Sequence, residues 1–117
     1  MAGTGREGIG SGGSPFSTMG DDRDFPSVPY SPEHFTPRDL CPSGDGGVNA
    51  YDDPENVRNC NLSGLADLYG AAEYVRDAIA DYLNDMIDIG VAGFRVDAAK
   101  HMWPEVNIFS LKIDMIA

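Results

Sequence analysis

The chain has 117 residues, with 8 Lys and Arg against 19 Asp and Glu, for a net charge of −11. That length allows one small domain. The acidic balance argues against nucleic acid and anionic membrane as partners, and no stretch approaches the length of a membrane-spanning helix. The same charge suits calcium or a neutral ligand, and it suits the plain solubility of a secreted protein equally well. The N-terminus lacks the apolar core of a signal peptide.

Residues 1–20 are rich in Gly and Ser, and a run such as Gly10-Ser11-Gly12-Gly13-Ser14 has little reason to fold alone. Gly3-Thr4-Gly5-Arg6-Glu7-Gly8 matches a dinucleotide-binding fingerprint in letters only. No strand precedes it and no amphipathic helix follows, so the match carries nothing. From Asp21 to Asn59 the composition shifts. Asp24-Phe25-Pro26-Ser27-Val28-Pro29-Tyr30-Ser31-Pro32 mixes prolines with rings. Proline at that density excludes helix and central strand, and the rings need a place to pack. The reading is an ordered irregular loop, because flexible linkers seldom carry so many aromatics. Cys41 and Cys60 are the whole cysteine complement. Two cysteines prove no bridge, and free thiols are the default in the cytosol.

Asn61-Leu62-Ser63-Gly64-Leu65-Ala66-Asp67-Leu68 reads as a short strand ending in an acid. Asn61-Leu62-Ser63 is also a formal N-glycosylation sequon. Entry into a buried strand beside Cys60 argues against its use. Residues 71–89 form the clearest helix. Val75, Ile79, Leu83, Met86 and Ile87 recur at steps of three and four. Asp77, Asp81, Asp85 and Asp88 read as a solvated face. Gly90 is placed to end the helix in a left-handed turn.

Val91 to Asp97 then reads as a buried strand. On a strand Val91, Gly93, Arg95 and Asp97 share one side, and Ala92, Phe94 and Val96 share the other. The guanidinium two residues from Asp97 favours the ionised carboxylate. Strand, helix and strand with short connections predict a right-handed βαβ unit. Asp67 and Asp97 then lie at one edge of a parallel sheet, where ligands gather. Two acids there suit an acid–base pair, or a metal ligand beside a catalyst. Spacing does not choose between these. An Asp at a strand end also serves commonly as a helix N-cap.

Gly93-Phe94-Arg95-Val96-Asp97-Ala98-Ala99-Lys100-His101 resembles the fourth-strand motif of the α-amylases in its animal form. Asp24-Phe25-Pro26-Ser27-Val28-Pro29-Tyr30-Ser31 resembles the excursion, called domain B, that this family inserts after its third strand region. Met102-Trp103-Pro104 resembles the start of the family's next helix. The resemblance spans 24–104 and fades past Val106. It implies an α/β fold: part of a (β/α)8 barrel, as a strand–helix–strand unit, with an irregular domain B. A whole barrel needs about 250 residues. The implied organisation is a Gly- and Pro-rich domain B-like region over 1–60, a βαβ part of the barrel over 61–104, and a tail over 105–117. From Asn107 to Ala117 the pattern alternates like a strand as readily as it cycles like a helix. That stretch is read as foreign to the enzyme, the product of a truncated or misjoined reading frame.

The resemblance also implies chemistry. Asp97 falls on the nucleophile of a retaining glycoside hydrolase acting on α-1,4-glucans such as starch and glycogen, with the acid–base Glu outside the chain. Arg95 would orient Asp97 and bind chloride. Lys100 and His101 fall on glucan-contacting positions, and Tyr51 on an aromatic platform of the cleft. Calcium would take the Asp67 carboxylate and the backbone carbonyls of Arg58 and His101, with a further Asn ligand from outside the chain. A Cys41–Cys60 disulfide is implied, and with it a secreted, extracellular enzyme, monomeric at full length. The isolated chain is expected to fold poorly and to be inactive. The alternatives are a non-catalytic carbohydrate- or calcium-binding relative on the same fold, and a self-contained acidic α/β interaction domain.

Overall fold

A computed structural model describes residues 5–106 of the chain. It divides into two compact units, Met1–Tyr69 and Gly70–Ala117. The tail from Asn107 onward lies outside the described residues.

The first unit opens on a three-stranded antiparallel meander of β1 (Glu7–Ile9), β2 (Pro15–Met19) and β3 (Asp22–Asp24), in the order β1-β2-β3. The Gly10–Ser14 run, expected to have little reason to fold alone, is the turn between β1 and β2. The pairing is regular, with Gly8 opposite Phe16 and Thr18 opposite Arg23. Two side chains supply what composition hides. The fully buried Thr18 hydroxyl donates to the Arg6 carbonyl and accepts from the Arg6 N–H, both at 2.9 Å. The Phe16 ring lies over Gly8, where a Cβ would stand 3.3 Å from two ring carbons. Glycine there is therefore a condition of the packing and not a sign of slackness.

The aromatics of the Pro-rich stretch pack in a row. The Phe16 and Phe25 rings stack at 6.2 Å and 6°, and Phe25 meets Phe35 at 5.7 Å. Tyr30 meets Phe35 edge-on, and the buried Arg23 guanidinium sits 5.7 Å from the Phe35 centroid. Such ring pairs and cation–π contacts are each worth about 0.5–1.5 kcal/mol beyond burial. Proline acts as its chemistry allows. Pro32 and Pro54 start short helical turns at Pro32–His34 and α1 (Pro54–Asn59), where a missing N–H costs nothing.

Residues 38–61 form a polar nodule around a Cys41–Cys60 disulfide that spans 19 positions. Arg38 donates to the carbonyls of Cys41, Ser43 and Gly44. Asn56, 2% exposed, accepts from the N–H groups of Asn49 and Ala50 at 2.9 Å each and donates to the Asn49 side-chain oxygen. Asp45 accepts from the Gly47 N–H, which holds its carboxyl below the ordinary value of 3.8 with help from the Ser43 hydroxyl and Arg38. An Asn56→Ala change removes the acceptor for two loop amides, at about 1–3 kcal/mol. Exchange of the Asn49 and Ala50 amide protons then speeds up by roughly 10- to 100-fold. Unchanged exchange would show that Asn56 does not hold the loop.

The second unit is built on α2 (Glu73–Ile89). Val75 is fully buried and Ile79, Leu83, Met86 and Ile87 are half-buried, while Asp77, Asp81, Asp85 and Asp88 are exposed. The apolar stripe and the acidic face stand as the periodicity predicts. Gly90 ends the helix at φ +109°, with the Gly90 N–H on the Ile87 carbonyl and the Val91 N–H on the Met86 carbonyl. That is a Schellman closure, and any L side chain at Gly90 would be strained.

The strands expected on either side of this helix do not form among the described residues. Asn61–Leu68 contains a 3-10 turn, Leu62–Gly64, and two isolated bridges, Asn61 to Gly47 and Leu68 to Phe35. Residues 91–96 have no regular structure and are exposed. The β1–β2–β3 meander is the only sheet among the described residues. The physical reason is that a parallel strand exists only through its ladder. The described residues offer these segments no neighbouring strand to pair with.

Candidate functional site

Asp97 lies on an exposed bend directly after the 91–96 segment. One of its carboxylate oxygens accepts from the N–H of its neighbour Ala98 at 2.9 Å. Ala98 adopts the left-handed region, φ 54° and ψ 26°, and caps the short turn Ala99–His101. A non-glycine residue in that region marks a constrained turn. The contact is local, and the second Asp97 oxygen is uncommitted to any described group. Asp97 is therefore not the N-cap of a following helix. It is a solvent-facing acid on a fixed bend.

Arg95 is exposed two residues earlier, and among the described residues no ion pair joins it to Asp97. Lys100 is exposed and His101 half-buried within the Ala99–His101 turn. Arg95, Asp97, Lys100 and His101 thus share one short stretch of the second unit.

The remaining singled-out residues belong to the first unit. Tyr51 is 62% exposed. Arg58 is half-buried in the last turn of α1. Asp67 is half-buried, and its carboxylate accepts from the Thr36 hydroxyl at 2.6 Å while its carbonyl accepts from the Thr36 N–H at 2.9 Å. The Tyr69 N–H donates to the His34 carbonyl and completes this clasp between 34–36 and 67–69. Thr36 was not legible as a site residue. It lies 31 positions from Asp67, and a lone Thr after a Phe carries no signal. Among the described residues no three His, Cys, Asp or Glu side chains form a group that could hold a metal ion. No described helix is long and apolar enough to cross a membrane.

Comparison with known proteins gives this geometry its context. No protein-family model matches the chain. It is 57% identical over 82 residues to pancreatic α-amylase of Sus scrofa, covering 70% of this chain and 16% of that protein. It is 47% identical over 104 residues to α-amylase of Pecten maximus, covering 89% of this chain and 20% of that protein. Among solved structures, wild-type α-amylase I of Eisenia fetida matches all of this chain and 23% of its own, with a TM-score of 0.89 at 44% identity. The E249Q variant of that enzyme, in complex with maltohexaose, matches to the same degree. The chain spans about a fifth or less of the curated relatives it matches. Identity this high, over most of the chain and in relatives from mollusc to mammal, leaves one assignment: the chain belongs to the animal α-amylase family and corresponds to a segment of it.

Proposed function

We propose that this chain supplies the nucleophile-bearing segment of a retaining α-amylase that cleaves internal α-1,4-glucosidic bonds of starch and glycogen. The observation that supports this most is Asp97, an exposed acid on a constrained bend, inside a Gly93–His101 stretch that resembles the fourth-strand motif of the α-amylases. Its uncommitted oxygen would attack the anomeric carbon of a glucose unit and displace the leaving oxygen, forming a glycosyl ester. A second carboxylic acid, outside this chain, would protonate that oxygen and then activate water. Arg95 would orient Asp97 in the full enzyme and would offer its charge to chloride. Lys100 and His101 would hydrogen-bond the glucan, and Tyr51 would stack on a sugar face. The enzyme is read as secreted and monomeric, with a neutral glucan as partner and no nucleic acid or membrane.

Calcium fits the proposed donors in kind. The Asp67 carboxylate and the Arg58 and His101 carbonyls are all oxygens, the ligand type that calcium takes. Three oxygens fall short of the roughly six to eight that calcium requires, so further ligands come from elsewhere in the full enzyme. When bound, calcium would supply structural cross-linking. Asp67 itself is held ready by the Thr36 hydroxyl.

The test is a graft. An animal α-amylase in which residues 24–104 of this chain replace the matching stretch should hydrolyse starch with retention of configuration. The purified 117-residue chain should release no reducing sugar. An inactive but folded graft would overturn the reading and favour a non-catalytic relative.

A further inference from the structure

The sequon Asn61-Leu62-Ser63 plays no part in the glycosidase reading. In the sequence it stands at the mouth of a buried strand, which argues against modification. The structure removes that objection. Residues 62–64 form an exposed-edged 3-10 turn, with Ser63 exposed and in the left-handed region at φ 52°. Asn61 is half-buried, and its carboxamide hydrogen-bonds to no described group. Buried amides in proteins nearly always find a partner, so a carboxamide without one faces solvent. Its backbone, in contrast, is fully engaged. The Asn61 N–H donates to the Gly46 carbonyl at 2.9 Å, and the Asn61 carbonyl accepts from the Val48 N–H at 3.2 Å. A group attached to this side chain would break no hydrogen bond of the fold and would project from a fixed base.

We propose that Asn61 is an N-glycosylation acceptor. The inference rests on the secretory part of the reading above, because the modification needs that compartment. In the transfer, the Asn61 side-chain nitrogen bonds to the anomeric carbon of an oligosaccharide carried on a lipid diphosphate. The bond from that carbon to the diphosphate oxygen breaks, the lipid diphosphate leaves, and the amide proton passes to a base of the transferase. Atoms and charge balance with no redox step. The hydroxyl of Ser63 supplies the third sequon position.

The folded loop also fixes the order of events. The Cys41–Cys60 bridge ends one residue before the acceptor. Once it closes, the Gly46 and Val48 bonds hold the Asn61 backbone and prevent it from adopting the geometry of a transferase site. Glycosylation must therefore precede closure of the bridge, and occupancy depends on which is faster.

Asn61-Leu62-Ser63 is the only sequon in the 117 residues, so the assay is unambiguous. The chain is translated behind a cleavable secretory signal in the presence of microsomes. The expected result is a single mobility step that an endoglycosidase removes and that is absent in both Asn61→Gln and Ser63→Ala chains. Occupancy should rise in a Cys60→Ser chain or with reductant present. A Gly12→Asn chain, which places a second sequon in the exposed β1–β2 turn, serves as the reference acceptor. If that second sequon is modified while Asn61 is not, with or without the bridge, the proposal is overturned and the glycosidase reading is untouched. Failure of the glycosidase reading shows separately, as an inactive graft.

Discussion

An Asp97→Asn change in the grafted enzyme lowers kcat on starch by about 10⁴-fold or more, the scale on which removal of a nucleophile acts. The substitution is chosen for what it keeps. The carboxylate oxygen that accepts from the Ala98 N–H has an equivalent in the Asn side chain, so the bend at Ala98 is retained. What disappears is the second carboxylate oxygen, which can attack an anomeric carbon where an amide nitrogen in its place cannot. A purely structural Asp97 would therefore tolerate Asn. KM, which reports ground-state contacts such as those proposed for Lys100 and His101, should move far less than kcat. Steady-state kinetics on soluble starch, with a thermal melt to confirm folding, decides the matter. Activity within about tenfold of the parent would remove Asp97 as the nucleophile.

The second large effect is on the 38–61 nodule. A Cys60→Ser change opens a loop of 19 positions. Loss of that constraint on the unfolded chain costs about 3 kcal/mol. The nodule has few apolar side chains to compensate. Its buried side chains are Cys41, Val57 and Cys60 with the polar Ser43 and Asn56, so its order rests on the cross-link and on hydrogen bonds. Exchange of the Val48, Asn49, Ala50 and Asn61 amide protons, all bonded inside this loop, should accelerate by about 100-fold on loss of the bridge. The same acceleration should follow reduction of the parent. Exchange that changes less than about threefold would show that the polar network alone holds the loop.

Several features were settled by sequence alone, each through a short-range rule. The helix over 73–89 follows from apolar steps of three and four, and its end follows from the one residue that takes φ +109° without strain. The Gly93–His101 motif identifies the family because its information is carried by residue types at fixed spacing. Tertiary structure decided what depends on distant partners. The Gly-rich start becomes a sheet because Phe16 lies over Gly8 and Thr18 closes onto Arg6, contacts that no local pattern announces. Asp67 gains Thr36 from 31 positions away. The apolar run 91–96 reads as a strand but remains unpaired among the described residues, because hydrophobic pattern sets the tendency to extend while only a neighbouring strand can supply the hydrogen bonds.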